Sequence, residues 1–264
     1  MKILRIPEGR ERIEDYEFSE IRELEQVFIP DTVKKVGKHA FYNCRSLKKV
    51  RMPGDLFQIE DGAFKNCDSL ESVEIYAHDQ KTACMKNVVA DLTHELTFFV
   101  HYPDGEAKIL IPSYNYDYEI DINSRVFHEV VYGSGDAYQR CVSKAELDYS
   151  EYDFLFAVAK REEQQTTLFE LIEDRLHYPY RLGDREKKIY VDYLQKHAKA
   201  YVVKKIEQND QKGLRLAAAC GLLQKEDMDS YFEKAGRGKR VECMAYLMEY
   251  HHQHFRETEQ EFVF

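Results

Sequence analysis

Three stretches of the chain carry residue types whose spacing could do chemistry. Gly133-Ser134-Gly135-Asp136 has the glycine content of a loop whose backbone amides cradle phosphate. It lacks the Lys-Ser/Thr pair of a P-loop and the third glycine of a dinucleotide fingerprint, so it reads as a turn. His251 and His254 stand at i, i+3 on one helix face, with Cys243 two turns back. Structural zinc needs four placed ligands. No second cluster accompanies these three, and the histidines read as a polar helix end near the negative pole of its dipole. Gly236-Arg237-Gly238-Lys239-Arg240 could grip a phosphate or an acidic partner, but reads first as a solvated turn between helices. No Gly-x-Ser-x-Gly elbow, His-Glu-x-x-His helix or kinase signature occurs. The expectation is a non-enzyme with no catalytic residue, no metal and no cofactor.

The elements that would position any site announce themselves by repetition. Val27-Phe28-Ile29-Pro30, Ala40-Phe41, Cys44, Leu47 and Val50 return 23 residues later as Val50-Arg51-Met52-Pro53, Ala63-Phe64, Cys67, Leu70 and Val73. The same step runs backwards to Ile6-Pro7, Ile13, Phe18 and Leu24, with Ile21 where the later copies have cysteine. An apolar residue can therefore stand in for the cysteine, which marks it as a small buried hydrophobe. A fourth copy is expected to have decayed, with Leu96-Thr97-Phe98 alone keeping the strand phase. A fixed period in the twenties predicts stacked turns, each unable to bury its apolar face alone.

These motifs resemble the BspA-like leucine-rich repeats of bacteria, most closely at Val36-Gly37-Lys38-His39-Ala40-Phe41-Tyr42-Asn43-Cys44. Ile59-Glu60-Asp61-Gly62-Ala63-Phe64 departs by moving the glycine. The resemblance covers residues 5–76 and fades by 100. It implies a solenoid with one short strand per repeat at Val-x-Ile. Many relatives of this repeat type are exported to the cell surface.

In Val27-Phe28-Ile29, Val50-Arg51-Met52 and Val73-Glu74-Ile75 the outer residues alternate inward with period two. The residues between them then line one exposed strand face: Gln26, Phe28, Lys49, Arg51, Ser72, Glu74 and Tyr76. Aromatic residues and arginine are the types that anchor interfaces, so this face is the candidate binding site.

After about residue 100 the repeat is gone. Residues 107–112 and 125–132 read as strands that cap the array, with the aromatic-acidic alternation Tyr114–Asp121 between them as a half-exposed strand or contact surface. From Ser143 the period becomes helical, with stripes such as Leu168/Leu171/Ile172/Leu176, Leu194/Ala198/Tyr201/Val202, Leu214/Ala217/Ala218/Gly221, Met228/Tyr231/Phe232/Ala235 and Val241/Met244/Ala245/Met248. Ser143–Glu146 and Thr167–Glu170 have the form of capping boxes. Residues 214–236 resemble a degenerate ankyrin-type helix pair lacking its Thr-Pro-Leu-His opening.

The fold class expected is α+β: a solenoid with a β-rich cap over 1–142, then an all-α helical-hairpin domain over 143–264. Net charge is −10, which argues against nucleic acid as the main partner. No run of 18 apolar residues occurs, so no membrane span is expected. The first ten residues have no apolar core of signal-peptide length. Six cysteines without a C-x-x-C pair read as buried thiols in a reducing compartment. Together these give a cytoplasmic, non-catalytic scaffold or adaptor for a partner protein. The alternatives are an enzyme with a site at the junction of the halves, and a surface or glycan-binding repeat protein.

Overall fold

A computed structural model describes residues 2–121, 126–143 and 146–255. The chain divides into two compact units, residues 1–183 and 184–264. The change to a helical period falls at 143, ahead of that division.

The first unit opens with β1 (Lys2–Arg5), β2 (Arg12–Ile13), β3 (Leu24–Phe28), β4 (Lys35–Val36), β5 (Lys49–Pro53), β6 (Gln58–Ile59) and β7 (Ser72–Tyr76). β1, β3, β5 and β7 pair in parallel, with Val27 beside Val50 and Val50 beside Val73, so the register advances by the 23-residue step. The expectation of one strand per repeat needs correction. β2, β4 and β6 form a second parallel sheet, Ile13 beside Val36 beside Ile59, so each turn carries two strand segments.

Period-two alternation sets what is inside. Leu24, Val27, Leu47, Val50, Met52, Leu70, Val73 and Ile75 are all buried, each contributing about 1.5–3 kcal/mol. Between the sheets Phe18, Phe41 and Phe64 stack at centroid distances of 5.6 and 5.4 Å. The Cys44 thiol donates to the Phe18 carbonyl at 3.1 Å and the Cys67 thiol to the Phe41 carbonyl at 3.2 Å. The cysteines are thus small core residues with one weak donor each, and burial pushes both thiols above their usual range.

Each turn bends through left-handed backbone at equivalent positions: Tyr16, His39 and Gly62, then Glu20, Asn43 and Asn66. The displaced glycine of the third copy has a local reason. At φ +70, a Cβ on Gly62 would lie 2.7 Å from the His39 ring, while the two non-glycine residues before it, Tyr16 and His39, stack on one another at 5.1 Å.

The fourth copy is rebuilt rather than merely lost. Helix α1 (Cys84–Asp91) replaces its loop, buried through Cys84, Met85, Val88 and Val89. Side chains around it take over backbone bonds that a further turn would make. Asp91 accepts the amides of Gly62 at 3.1 Å and Phe64 at 2.9 Å, and Asn87 donates to the Ile59 carbonyl; His94 Nε2 adds a contact of its own, 2.8 Å from the Leu70 carbonyl. Burial raises the Asp91 carboxyl above its usual range despite those amide bonds. The inserted helix also moves the register: β8 (Leu96–Tyr102) sets Phe98 beside Val73 and Val100 beside Ile75, two residues beyond the phase expected for Leu96 and Phe98.

β9 (Gly105–Ile111) returns antiparallel to β8 and completes a six-stranded sheet. β10 (Asn115–Asp121) and β11 (Val126–Tyr132) form a separate hairpin. The side chains of Tyr118, Glu119, Ile120 and Asp121 lie outside the described residues. Helices α2 (Gly135–Arg140), α3 (Tyr149–Phe154), α4 (Phe156–Glu162) and α5 (Gln165–His177) follow, with α5 packed on β9. Asp148 caps α3 by accepting the Glu151 amide. At the capping box expected for Ser143–Glu146 the Glu146 amide donates to the Ser143 hydroxyl at 3.0 Å, while Lys144 and Ala145 lie outside the described residues. Thr167 sits inside α5 and caps nothing. Arg175, fully buried, makes a two-point ion pair with Asp153 at 2.7 and 2.8 Å and donates to the Tyr180 carbonyl, which ties α5 to α3 and to the chain beyond it.

The second unit contains α6 (Asp184–Lys196), α7 (Ala198–Gln208), α8 (Gln211–Ala219), α9 (Met228–Arg237) and α10 (Val241–His254). α7 packs on α8 and α9, and α10 on α9 and α8. Asn209, in left-handed backbone, ends α7, and Asp210 accepts the Gly213 amide to open α8. The stripe expected for α10 is wrong: Val241 and Met248 are exposed, while Cys243 and Leu247 are buried.

Candidate functional site

Parallel pairing in steps of 23 places the residues between the inward positions in rows across the sheet. Ile3, Gln26, Lys49, Ser72 and Thr97 form one row. Arg5, Phe28, Arg51, Glu74 and Phe99 form the next, and Tyr76 and His101 begin a third. All seven sequence-predicted positions, Gln26, Phe28, Lys49, Arg51, Ser72, Glu74 and Tyr76, lie on this outward face and none is buried.

Within these rows cations and rings alternate. The Arg5 guanidinium lies 4.0 Å from the centre of the Phe28 ring, and that of Arg51 lies 4.0 Å from the centre of Tyr76. Tyr76 stacks on His101 at 4.6 Å, His101 meets the edge of Phe99 at 4.5 Å, and Phe99 meets Tyr178 at 5.2 Å. Contacts of this kind are worth roughly 0.5–1 kcal/mol each at exposed sites, so the row is held in shape without a covering layer.

Glu74 is the electrostatic hub. Its carboxylate pairs with Lys49 at 2.8 Å, accepts the Tyr76 hydroxyl at 2.8 Å and faces His101 Nε2 at 3.2 Å. Partial burial alone would raise this carboxyl. The hydrogen bonds from Lys49, Tyr76 and His101 outweigh it and hold the group down at about 2. The Tyr76 hydroxyl is raised in turn, by burial and by its bond to Glu74.

Beside the row runs an open groove of about 450 Å³. Phe28, Arg51 and Tyr76 line it together with Arg5, Glu8 and His78. His78 faces Asp31 at 3.3 Å on the same rim. Arg5 stands one 23-residue step before Phe28, so its place could have been read from the repeat. Phe99 and His101 could not, because the register shift at α1 hides them.

The remaining candidates do not assemble a site. Gly133 takes φ +85 as a turn requires, and both the amide and hydroxyl of Ser134 donate to Glu163 at 2.7 Å. A carboxylate of the protein itself therefore occupies the donors that a phosphate would need. His251 packs against Phe232 and His254 against Tyr250, and no group of three metal-ligand side chains occurs among the described residues. At the basic turn Arg237 pairs with Glu233, and Lys234 of α9 pairs with Glu207 at 2.5 Å, so the open hollow of about 320 Å³ that Glu207, Lys234 and Arg237 line with Gly238 and Arg240 already holds a carboxylate of the protein. Tyr116 donates to Asp136 at 2.9 Å, and the side chains of residues 118–121 in the same strand lie outside the described residues. No described helix is long and apolar enough to cross a membrane.

Residues 1–92 match the family model of the BspA type leucine rich repeat region, in 6 copies. That match stops short of residues 214–236, whose likeness to an ankyrin-type pair rests on the residues alone. Neither the curated proteins nor the solved structures contain a significant match to the chain.

Proposed function

We propose that this chain, whose first 92 residues match the BspA-type leucine-rich repeat, is a non-catalytic scaffold that docks a partner protein on its outward strand face. The observation that carries the reading is the row of guanidinium-on-ring contacts, Arg5 on Phe28 and Arg51 on Tyr76, beside an open groove. Aromatic residues and arginine fixed by packing are the side chains that lose least conformational freedom on docking. BspA-type repeats are commonly surface or protein-interaction repeats, which supports the same class. Six unpaired buried thiols support a reducing, cytoplasmic setting.

The test is a comparison of partners retained by the immobilised wild-type chain and by a Phe28→Ala/Arg51→Glu double variant with unchanged circular dichroism. The reading expects one or more partners to be lost with the variant. Identical partner sets from both folded proteins would refute it.

A further inference from the structure

Phe28 pairs with Arg5 on one side and with Arg51 on the other, so the two arginines occupy equivalent positions two strands apart. Strand spacing then sets their backbones about 10 Å apart. Each guanidinium carbon lies 4.0 Å from the centre of a ring, and the planar fork of N–H donors on such a group matches a planar anion. Neither has a carboxylate within ion-pair distance among the described residues. The third cation of the face, Lys49, differs: it is tied to Glu74. The negative charge of Glu74 is thus consumed inside the sheet, and the positive charge of the two arginines is not.

The rim limits what could use that charge. Glu8 and Asp31 border the same groove, and the chain as a whole carries −10. A polyanion with a charge on every unit, such as a nucleic-acid strand, would meet those carboxylates. A segment with separated charges would not. Polyproline II geometry supplies the separation: with three residues per turn and 3.1 Å per residue, residues i and i+3 lie on one edge about 9.3 Å apart. That repeat matches two strand spacings, so successive acids of such a segment would fall on Arg5 and on Arg51.

We propose that the partner element is an extended acidic segment in polyproline II conformation, with carboxylates at i and i+3 seated on Arg5 and Arg51. This rests on the docking reading above and names its chemistry.

The experiment is fluorescence anisotropy of the full chain with a labelled peptide of the repeating form Glu-Pro-Pro. A Gln-Pro-Pro analogue and a single-stranded oligothymidine serve as competing probes. The Glu peptide is expected to bind, to weaken with salt, and to weaken about tenfold on Arg5→Gln or Arg51→Gln and again with the Gln analogue. Equal binding of the Gln analogue, insensitivity to both arginine substitutions, tighter binding of the oligonucleotide, or no peptide binding at all would each overturn the proposal. If the Gln analogue binds as well and Phe28→Ala abolishes both, the acidic segment is wrong while the docking face stands. The fate of the docking reading itself is set separately by the paired retention experiment.

Discussion

The carboxylate of Asp91 holds the amide of Phe64 at 2.9 Å, in the place where the carbonyl of Ala63 holds the amide of Phe41 at 2.8 Å one turn earlier. Its other oxygen takes the Gly62 amide, as the Asp61 carbonyl takes that of His39. One side chain from an inserted helix thereby finishes an array that would otherwise end in unpaired amides.

Asp91→Ala removes both acceptors at once. Two buried donors left without partners are expected to cost about 2–4 kcal/mol, read as a lowered midpoint of urea unfolding. Asp91→Asn keeps one acceptor and is expected to cost about half as much. Hydrogen exchange at Phe64 and Gly62 should accelerate in the Ala variant before that at Phe41. Wild-type stability for Asp91→Ala would show that the helix caps the array without this carboxylate.

Phe41 lies in the middle of the ring stack and is fully buried, whereas Phe18 at its open end is half-buried. Phe41→Ala is expected to cost roughly 3–5 kcal/mol and Phe18→Ala clearly less. Equal losses by thermal unfolding would contradict the stacking order.

Glu74 gives the face a pH signature. Its carboxyl sits at about 2 in the folded chain against an ordinary value of 4.5. A depressed acid stabilises the fold above its unfolded value and loses that contribution as pH falls. The loss should therefore run from about 4.5 down to about 2. Asp91, with a raised carboxyl, contributes a slope of the opposite sign. Glu74→Gln isolates the first: the variant is expected to flatten the acid limb and to be about 1.5–3 kcal/mol less stable at neutral pH. An unchanged limb would mean that Lys49, Tyr76 and His101 do not hold this charge.

Much of the first unit was legible because its contacts are periodic. A residue and its neighbour on the next strand differ by 23 positions, so Phe28, Arg51 and Glu74 could be placed in one row before any coordinates. The same step contained Arg5. What broke the reading was an insertion: α1 moves Phe99 and His101 two residues out of phase, and no local pattern reveals that. The second strand segment of each turn escaped notice because Arg12-Ile13, Lys35-Val36 and Gln58-Ile59 are too short to alternate. The Arg175–Asp153 pair joins two helices across 22 positions with no repeat to announce it. In α10 the apolar residues fit two overlapping stripes. Packing on α8 and α9 selects Cys243 and Leu247 over Val241 and Met248, a choice that periodicity alone does not make.

The most direct measurement places a photo-crosslinking benzoylphenylalanine at position 28, on the strand face, and separately at position 57, where the native Phe57 is 62% exposed just ahead of β6 in the other sheet. Both proteins are irradiated in the same native extract. Protein adducts are predicted at 28 and not at 57, and Arg5→Gln/Arg51→Gln should abolish them. Adducts at 57 alone, or equally at both, would contradict the assignment of the strand face as the docking surface.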